Sequence, residues 1–545
     1  TSADYDEKDP AFKWYLVFAS SGTDKIKTSA TYSEDGNYLT SVTDAAGNVT
    51  SYEYGSNGLV SKTTDPKGTE TEYTYDVMNR TTAVTSGTSD AGYTYSGDLL
   101  QQISVDGGAL TYGFTYDKFG RKTSVGVSGT GGSRTLAGYT YDGRLMTRQS
   151  YGSGDTNYID FEYDSLDRVV KKSYNGNDSS SISYMYDPNG NLYRTEDKLW
   201  NMGTVYEYDL AGRINGITSR DRETNKMQAY ESIRYNDGKG TVKSKIYNIY
   251  GTDGLLLRQT PYSFTYGDPS KGEIPDTLYK LETGGGSYSY AYDSLARLES
   301  RTLTLGDTVK TESYTYAANP ANSSFTTPLV SSMTDLAGKT HTYTYDANGN
   351  ILTDTVDGQT IQYEYDSFNR LTGYYDPIAN RTEFYTYDDR GNITERKYRN
   401  SYVSPEEVAE NGTSGFTVTP YEYGDGTWAD LLTKYGNTAI AYDEIGNPLN
   451  GKASYMTYTW DKGRNLVQYN FRSYSTSYTY NADGLRTSKT YNQNASVLKS
   501  TEYFIVDGRY VGEISTVGNI DYVIAYVYDE NGSPAGINVN GTQYW

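Results

Sequence analysis

The sequence has no cysteine and only one histidine in 545 residues. Without thiolates the chain cannot build a disulfide framework, a thiol redox site or a zinc site on sulfur. The single histidine, His341, stands in GKTHTYTYD at the predicted start of a strand. We interpret it as a strand-surface residue rather than a catalytic acid or base.

Basic residues are in the minority. Lys and Arg total 48 against 69 Asp and Glu, and the formal net charge is -21. Because neutralising a phosphate backbone requires clustered cations, we expect no nucleic-acid partner. The negative charge is interpreted as favouring the solubility of a large exposed surface.

Long apolar runs are absent. No stretch approaches the roughly 20 apolar residues of a membrane span, so we expect no membrane span. The first ten residues, TSADYDEKDP, have neither the basic nor the apolar region of a signal peptide. We therefore expect the chain to begin inside a longer protein or after processing.

Aliphatic residues are scarce, since Leu, Ile, Val and Phe make up only about 17% of the chain. That composition by itself favours disorder. The 62 tyrosines argue against disorder, because a tyrosine ring favours strands and packs on one side while its hydroxyl tolerates water. The composition therefore predicts a thin-walled, extensively hydrated sheet.

One ten-residue phrase recurs along the chain. YTYDANGNIL (343–352) is repeated with variation as FTYDKFGR, YMYDPNGN, YEYDLAGR, YAYDSLAR, YEYDSFNR and YTYDDRGN. The two tyrosines, two positions apart, share one face of a strand, and the following Asp begins a turn that its carboxylate can close. Each copy is therefore predicted to be a β-hairpin.

The third residue after the Asp is usually Gly, which a left-handed closing residue requires. Asn79, Asp167 and Asn369 take the same place in other copies, and Asn and Asp tolerate a positive φ best. Ala296 breaks this rule, so we expect its turn to be strained or of a different type.

We assign the repeated residues a structural role, because a residue needed at every turn cannot mark one site. The same argument disfavours a carbohydrate-active enzyme, which would need two carboxylates flanking one cleft. DPNGN and DANGN lack the ligand spacing of calcium loops, and the Gly-rich TGGGSYSYAY lacks the ending of a phosphate loop. We therefore predict no catalytic, cofactor-binding or metal site and no cofactor. The structural repeat residues are Tyr116, Asp117, Gly120, Arg121, Tyr186, Asp187, Gly190, Tyr208, Asp209, Gly212, Arg213, Tyr345, Asp346, Gly349, Asn350, Tyr365, Asp366, Arg370, Tyr387, Asp388, Gly391, Tyr528 and Asp529.

Hairpins in this number must stack into one long sheet, which twists and has to curl or close. The predicted fold class is all-β, with repeated β-hairpins in a sheet that curls into a spiral or a shell. Segments 215–262, 396–435 and 491–523 interrupt the period, and we expect them to form loops, caps or a binding element. Within them, SPEEVAENGTSGF resembles a short helix followed by a loop.

The consensus YxYDxxGR or YxYDxxGN resembles the RHS and YD-repeat family of bacterial polymorphic toxins, toxin-complex subunits and teneurins, from about Thr31 onward. WADLLTKYGNTAIAYDEIGNPL resembles YD-repeat proteins of Gram-positive bacteria. The ending YVYDENGSPAGINVNGTQYW looks like the start of the RHS-associated core. The expected organisation is an N-terminal lead-in (1–30), a β-shell (31–525) and the start of a truncated core (526–545).

The resemblance implies repeated β-hairpins wound as a spiral into a large hollow shell. This shell would be non-catalytic and monomeric, secreted or at the bacterial cell surface, and would enclose a C-terminal toxin or effector domain absent from this sequence. The self-cleaving core aspartates of toxin members are not present, so no protease residues are assigned. The alternative is a cell-surface structural or adhesion protein that binds a partner protein or a glycan. A carbohydrate-active enzyme and a disordered chain remain the other two alternatives.

Overall fold

A computed structural model describes residues 13–19, 25–154, 156–529 and 531–544. The predicted N-terminal lead-in (1–30) thus lies partly outside the described residues. The first 23 strands, β1 to β23, are Lys13–Ala19, Lys25–Tyr32, Leu39–Thr43, Val49–Tyr54, Val60–Thr64, Glu70–Tyr75, Thr81–Ser86, Ser89–Ser96, Leu99–Val105, Leu110–Tyr116, Lys122–Gly129, Gly132–Asp142, Leu145–Tyr151, Tyr158–Tyr163, Val169–Tyr174, Asn177–Tyr186, Leu192–Asp197, Met202–Tyr208, Ile214–Asp221, Met227–Tyr235, Val242–Tyr250, Leu256–Tyr266 and Leu278–Thr283. Strands β24 to β45 are Gly286–Tyr292, Leu298–Leu305, Thr308–Asn319, Asn322–Thr334, Thr340–Tyr345, Ile351–Val356, Gln359–Tyr365, Leu371–Asp376, Arg381–Tyr387, Ile393–Arg399, Thr417–Glu422, Lys434–Tyr435, Thr438–Ala439, Met456–Asp461, Asn465–Phe471, Tyr474–Tyr480, Arg486–Gln493, Ser496–Val506, Arg509–Val517, Ile520–Tyr528, Pro534–Val539 and Thr542–Tyr544. The helix α1 is Pro405–Asn411, and short 3₁₀ turns lie at Asp106–Gly108 and Pro269–Lys271.

The strands form an antiparallel meander in which each strand pairs with its neighbours in sequence. Strands β1–β36 make one sheet and β37–β45 a second. Between the sheets, isolated pairings join Tyr442 to Pro448 and Asn450 to Thr457. The predicted all-β array of hairpins is confirmed.

Two kinds of turn alternate along this meander. A Tyr-Asp turn follows the YxY segment and closes each hairpin, and a connecting turn leads to the next hairpin. Because the strands are antiparallel and consecutive, all Tyr-Asp turns line one border of the sheet and all connecting turns line the other. We call these borders the Tyr-Asp edge and the connecting edge.

The register slips at the second tyrosine of most hairpins. Thr115 pairs with Ser124, whereas Tyr116 pairs with Lys122, and the same step occurs at Tyr208 and Tyr345. A bulge of this kind adds one residue to one strand, bends it and increases the local twist. Repeated at one edge, the bulges give the sheet a consistent curl.

The curl brings the sheet back against itself. Hydrogen bonds join residues 264 to 316 positions apart in sequence. Asp65, between β5 and β6, contacts Asn348, between β28 and β29, and Thr88, between β7 and β8, contacts Asp389, between β32 and β33. One wind of the spiral therefore takes about 25 strands at its start, where β2 contacts β27, and about 21 strands toward its end, where β22 contacts β43. Residues 25–305 form the first wind and residues 308–544 the second.

The number of strands per wind sets the width of the spiral. At about 4.8 Å per strand, 24 strands span a perimeter of about 115 Å, which corresponds to a circle about 37 Å across. Inward side chains take up about 5 Å on each side, which leaves a space about 27 Å wide.

The accessible surface area agrees with a thin wall. The chain exposes 28834 Å², whereas a compact protein of 60.6 kDa exposes about 19,500 Å². The structure therefore has the shell-like fold that the repeat predicts. In the part of the chain that the structure describes, no helix has the length and apolar character needed to cross a bilayer.

The expected role of two interrupting segments is corrected by the structure. Segments 215–262 and 491–523 are not loops or caps, since they form strands β19–β22 and β40–β43 and continue the wall. They pack on each other, and the main hydrophobic cluster joins Ile217, Ile249 and Tyr262 to Phe504 and Val506. Segment 396–435 does contain the predicted short helix, as α1.

Candidate functional site

The Asp of a Tyr-Asp turn is satisfied within its own turn. Asp117 Oδ1 accepts the backbone N–H groups of Phe119 at 2.8 Å and Arg121 at 3.0 Å, while Oδ2 accepts Arg121 Nε at 2.6 Å. The Asp117 N–H donates to the Arg121 carbonyl, and the Gly120 N–H donates to the Asp117 carbonyl, both at 3.0 Å. The carboxylate therefore has no free lone pair suited to a nucleophile or a metal ligand.

The fifth residue of the turn, counted from the Asp, is Arg or Asn, and the structure explains this choice. In both cases its side chain donates to Oδ2 of the Asp, as a guanidinium at 2.6–2.8 Å or as an amide at 2.8–3.0 Å. The sequence indicated a structural role for Arg121, Arg213, Asn350 and Arg370 but not the Asp that each of them binds. The Arg pairs are Asp76–Arg80, Asp117–Arg121, Asp164–Arg168, Asp209–Arg213, Asp293–Arg297 and Asp366–Arg370, and the Asn pairs are Asp187–Asn191, Asp346–Asn350, Asp388–Asn392 and Asp443–Asn447.

Each of these Arg side chains also reaches the next hairpin. The guanidinium lies over the second Tyr ring of that hairpin, 3.9–4.8 Å from the ring centroid, in a cation–π contact. The six pairs are Arg80–Tyr95, Arg121–Tyr141, Arg168–Tyr186, Arg213–Tyr235, Arg297–Tyr316 and Arg370–Tyr387. Arg509, outside these six turns, lies over Tyr528 in the same way. One residue thus closes its own turn and contacts the following repeat.

The second Tyr of most YxY segments makes a hydrogen bond to the preceding hairpin. Tyr345 donates its hydroxyl to the Val330 carbonyl at 2.7 Å, and Tyr116 donates to the Leu100 carbonyl at 2.8 Å. The sequence indicated only that this hydroxyl tolerates water, whereas the structure shows that it joins neighbouring hairpins. The donors are Tyr54, Tyr75, Tyr95, Tyr116, Tyr141, Tyr163, Tyr186, Tyr208, Tyr235, Tyr292, Tyr316, Tyr345, Tyr387, Tyr423, Tyr442, Tyr480 and Tyr528.

The closing position of the turn has a positive φ. The angle is +86° at Gly349, +63° at Asn79 and +61° at Asn369. Ala296 occupies the same position with φ of +63°, and its N–H donates to the Asp293 carbonyl as in the other turns. Its turn is therefore of the same type, and the alanine takes a conformation that is strained for a residue with a Cβ.

The two winds meet along a seam in which the same two kinds of edge face each other. The connecting edge of the first wind contacts the Tyr-Asp edge of the second. Asn348 Nδ2 donates to Asp65 Oδ2 at 2.7 Å, Lys67 Nζ lies 3.1 Å from Asp346 Oδ2, and the Gly131 N–H donates to the Gly426 carbonyl at 2.7 Å. The first and second residues after the Asp make most of these contacts.

The seam becomes more buried toward the end of the chain. Ala482, 3% exposed, donates its N–H to Asp197 Oδ2 at 2.8 Å. Burial raises the pKa of the Asp197 carboxyl. Burial also raises the pKa of the Tyr174 hydroxyl to about 12, and that hydroxyl donates to the Ala482 carbonyl at 3.2 Å. Both groups therefore hold the seam by hydrogen bonds.

The structure distributes the predicted repeat residues along an edge instead of gathering them in one pocket. His341, part-buried on β28, has Nδ1 3.0 Å from Asp354 Oδ2. Among the described residues, no group of three or more His, Cys, Asp or Glu side chains has the arrangement of a metal site. The functional feature that the geometry offers is the enclosing wall itself.

Comparison with protein families gives two matches. The RHS Repeat family model matches residues 32–70 and 56–91, and the Teneurin YD-shell family model matches residues 277–406. A curated relative, the tRNA3(Ser)-specific nuclease WapA of Bacillus spizizenii, is 28% identical over 271 residues, which is 41% of this chain. The chain spans 11% of the length of that relative.

Solved structures of toxin complexes are also similar. TcdB2-TccC3 without its hypervariable C-terminal region aligns over 99% of this chain and 34% of its own length, with 13% identity and a TM-score of 0.43. A Tc holotoxin pore of Photorhabdus luminescens aligns over 95% of this chain and 27% of its own length, with 14% identity and a TM-score of 0.39.

Removing one inter-hairpin hydroxyl should destabilise its hairpin. Tyr345→Phe keeps the ring but leaves the Val330 carbonyl without its donor, so we expect a loss of about 1 kcal/mol. Hydrogen exchange of β27–β29 measures this loss locally. Tyr343→Phe, on the same face of the same strand, is the matched control, and equal losses in the two variants would contradict the assigned role of the second Tyr.

Two opposite substitutions test the closing residue of the turn, since one introduces glycine there and the other removes it. Ala296→Gly should stabilise its hairpin by about 0.5–1 kcal/mol, because glycine relieves the left-handed strain but has more unfolded-state freedom to lose. Gly349→Val should destabilise by roughly 1–3 kcal/mol. Denaturant unfolding with local hydrogen exchange measures both, and a loss of stability in Ala296→Gly would show that the alanine is not strained.

Acid should weaken the turns. The hydrogen bond from Arg121 holds the pKa of the Asp117 carboxyl below its ordinary 3.8, and equivalent bonds act at Asp76, Asp164 and Asp209. Since the folded-state pKa lies below the unfolded-state value, this stabilisation is present above about pH 4 and is lost as the pH falls through the folded-state pKa values. Urea midpoints measured from pH 6 to pH 2.5 should therefore decline in the acid range.

The matched variant for the acid effect is Asp117→Asn. It is expected to be less stable than the parent at pH 6 but to lose less stability on acidification. Hydrogen exchange of β10 and β11 measures the acid sensitivity of this hairpin. If the variant and the parent lose equal stability on acidification, other groups cause the acid sensitivity.

Proposed function

We propose, because this chain belongs to the RHS/YD-repeat family, that its shell encloses a C-terminal toxin or effector domain encoded after Trp545. In this proposal the wall is non-catalytic and its partner is the chain's own effector. The protein acts after secretion or at the bacterial cell surface, in delivery or in competition between bacteria. Residues 526–545 would begin the core that separates shell from effector.

The observation that carries this proposal is the closed seam. A sheet of about 21 to 25 strands per wind, joined edge to edge to a second wind, supports an inner space bounded by the wall. Polar and backbone hydrogen bonds hold the winds together along the seam, and toward the end of the chain the hydrophobic cluster around Ile217 and Phe504 adds to them. A wall of this kind suits containment better than chemistry.

The width of the space indicates the state of an enclosed domain. A folded domain of 100 residues has a radius of gyration of about 13 Å and is therefore about 34 Å across. The inner space is about 27 Å wide. We therefore infer that an effector would be held unfolded or partly folded, with its activity withheld until release.

The similarity to WapA does not extend nuclease activity to these residues. This chain spans 11% of that protein, and its net charge of -21 disfavours contact with a phosphate backbone. We place any such activity in the effector rather than in the wall.

The second candidate function is that of a cell-surface structural or adhesion protein. The match of residues 277–406 to the Teneurin YD-shell model supports it. Its binding surface would be the outside of the wall, for which α1 and the loop around it, residues 400–416, offer the most distinct feature.

Limited proteolysis of the natural full-length gene product tests the proposal. Sequence after Trp545 should resist a protease that cleaves it readily once it is expressed alone. Arg134→Ala together with Lys67→Ala removes two cationic side chains from the seam and should increase cleavage of the downstream segment at least several-fold. Arg144→Ala, which removes an exposed guanidinium away from the seam, is the matched control.

A downstream segment that is cleaved equally fast in the intact protein and alone would overturn encapsulation. A gene product without such a segment would do the same. Either result would favour the adhesion role, which binding of the 545-residue chain to glycan or cell-surface protein arrays then measures directly.

A further inference from the structure

A cleft of about 360 Å³ lies in the seam between the two winds. Trp200, in the connecting turn between β17 and β18, and Gln228, on β20, line it from the first wind, and Glu502, on β41, lines it from the second. A volume of this size is within the range of small-molecule sites. Glu502 is exposed and Trp200 is half-buried, so a ligand can enter the cleft from solvent.

The indole of Trp200 differs from two other tryptophans in having no polar partner. Trp428 donates its indole N–H to the Tyr112 hydroxyl at 3.2 Å, and Trp460 donates to the Pro448 carbonyl at 2.6 Å. Among the residues that the structure describes, none accepts the indole N–H of Trp200. Because a buried indole usually has a hydrogen-bond partner, the Trp200 ring is available to a ligand.

The charges that line the cleft are all negative. Asp221 and Glu502 contribute two carboxylates, and the described lining residues include no Lys, Arg or His. The Asp221 carboxylate is held by uncharged donors, the Thr224 N–H at 2.7 Å and the Asn201 amide at 2.9 Å. The Thr224 N–H lowers the pKa of the Asp221 carboxyl, so this group stays ionised at neutral pH. Carboxylates without a counter-charge favour a cation in the cleft.

The rest of the lining indicates what kind of cation fits. Met202 and Phe504, both buried, form apolar wall beside the Trp200 ring, which suits an apolar stem. A cationic head is attracted to the face of an indole. The Gln228 side chain has no hydrogen-bond partner within the described ranges, and its oxygen adds an acceptor to those of Glu502. A primary ammonium, with three N–H donors, can use these acceptors.

We propose that the seam cleft at Trp200, Asp221 and Glu502 binds a primary ammonium group on an apolar stem, carried either by a free alkylamine or by a lysine side chain. The ammonium lies over the indole and next to the carboxylates, and the stem packs on Met202 and Phe504. The net charge of -21 adds a long-range attraction for such a ligand. This site goes beyond encapsulation and does not depend on what the shell contains.

Fluorine NMR of the 545-residue chain labelled with 5-fluorotryptophan tests this proposal. The chain has five tryptophans, and Trp200→Phe assigns the Trp200 resonance by its loss. We expect n-butylammonium to shift that resonance in a saturable way, and 1-butanol, which has the same stem without the charge, to leave it in place. N-acetyl-lysine methylamide distinguishes the two sources. Tighter binding than n-butylammonium assigns the site to a lysine side chain, and equal or weaker binding assigns it to a free amine.

Variants of the carboxylates measure their part in binding. Glu502→Gln should weaken n-butylammonium binding several-fold, and Glu502→Lys should weaken it at least 10-fold, because it places a like charge in the cleft. Gln228→Glu adds a third carboxylate and should strengthen binding. Glu502 is exposed and Gln228 half-buried, so these changes spare the packed core. Glu410→Gln, at an exposed position of α1, is the matched control and should leave the affinity unchanged.

Three results would overturn the proposal. Equal shifts with 1-butanol and n-butylammonium would show that the cleft binds the stem alone. A saturable shift with glucose and none with n-butylammonium would identify a site for neutral polyols. A Trp200 resonance that no amine moves would show that the cleft binds no ammonium group. All of these read Trp200 and not the segment after Trp545, so failure of encapsulation and failure of this site are distinguishable.

Discussion

The hydrogen bond from the second tyrosine of most hairpins to a carbonyl of the preceding hairpin sets the spacing of the wall. It exists because a Tyr-Asp turn, closed on itself by the Asp carboxylate, holds that tyrosine at a fixed position above its neighbour. Arg121 shows how closely the parts are connected, since it binds Asp117 in its own turn and lies over Tyr141 in the next hairpin. A protein with few aliphatic residues is thereby stabilised by many equivalent local contacts instead of one thick core.

The second constraint is that the two borders of the sheet have to be covered. A long sheet with open edges would associate with other sheets, and the bulge at the second tyrosine bends this one until its two borders meet. At the seam, turn residues that are solvent-exposed in one wind become buried in the next. The contrast between Leu166 and Ala482, which both follow an Asp or Asn in the same kind of turn, shows that exposure depends on the neighbouring wind and not on the repeat itself.

Much of the fold could be predicted because the repeat carries its own chemistry. The spacing of the two tyrosines indicated a strand with unlike faces, and the Asp-x-x-Gly pattern indicated the turn that closes it. The hydroxyl bond of the second tyrosine was missed, since its acceptor is the Val330 carbonyl in the case of Tyr345 and no side chain in the sequence identifies a carbonyl. The role of Arg or Asn in the fifth position was also missed, although their shared ability to donate to a carboxylate was a signal in the sequence.

Segments 215–262 and 491–523 show most clearly what could not be predicted from the sequence. They lack the repeat, and their sequences alone suggested loops or caps, yet they are strands whose apolar residues pack against each other across the seam. The sequence by itself determined the hairpin, its turn and the direction of its side chains, because those depend on residues within about ten positions of one another. Only the tertiary structure decided how many strands complete one wind, which turns become buried and which edge stays open, because those depend on the accumulated curl of some two dozen hairpin strands.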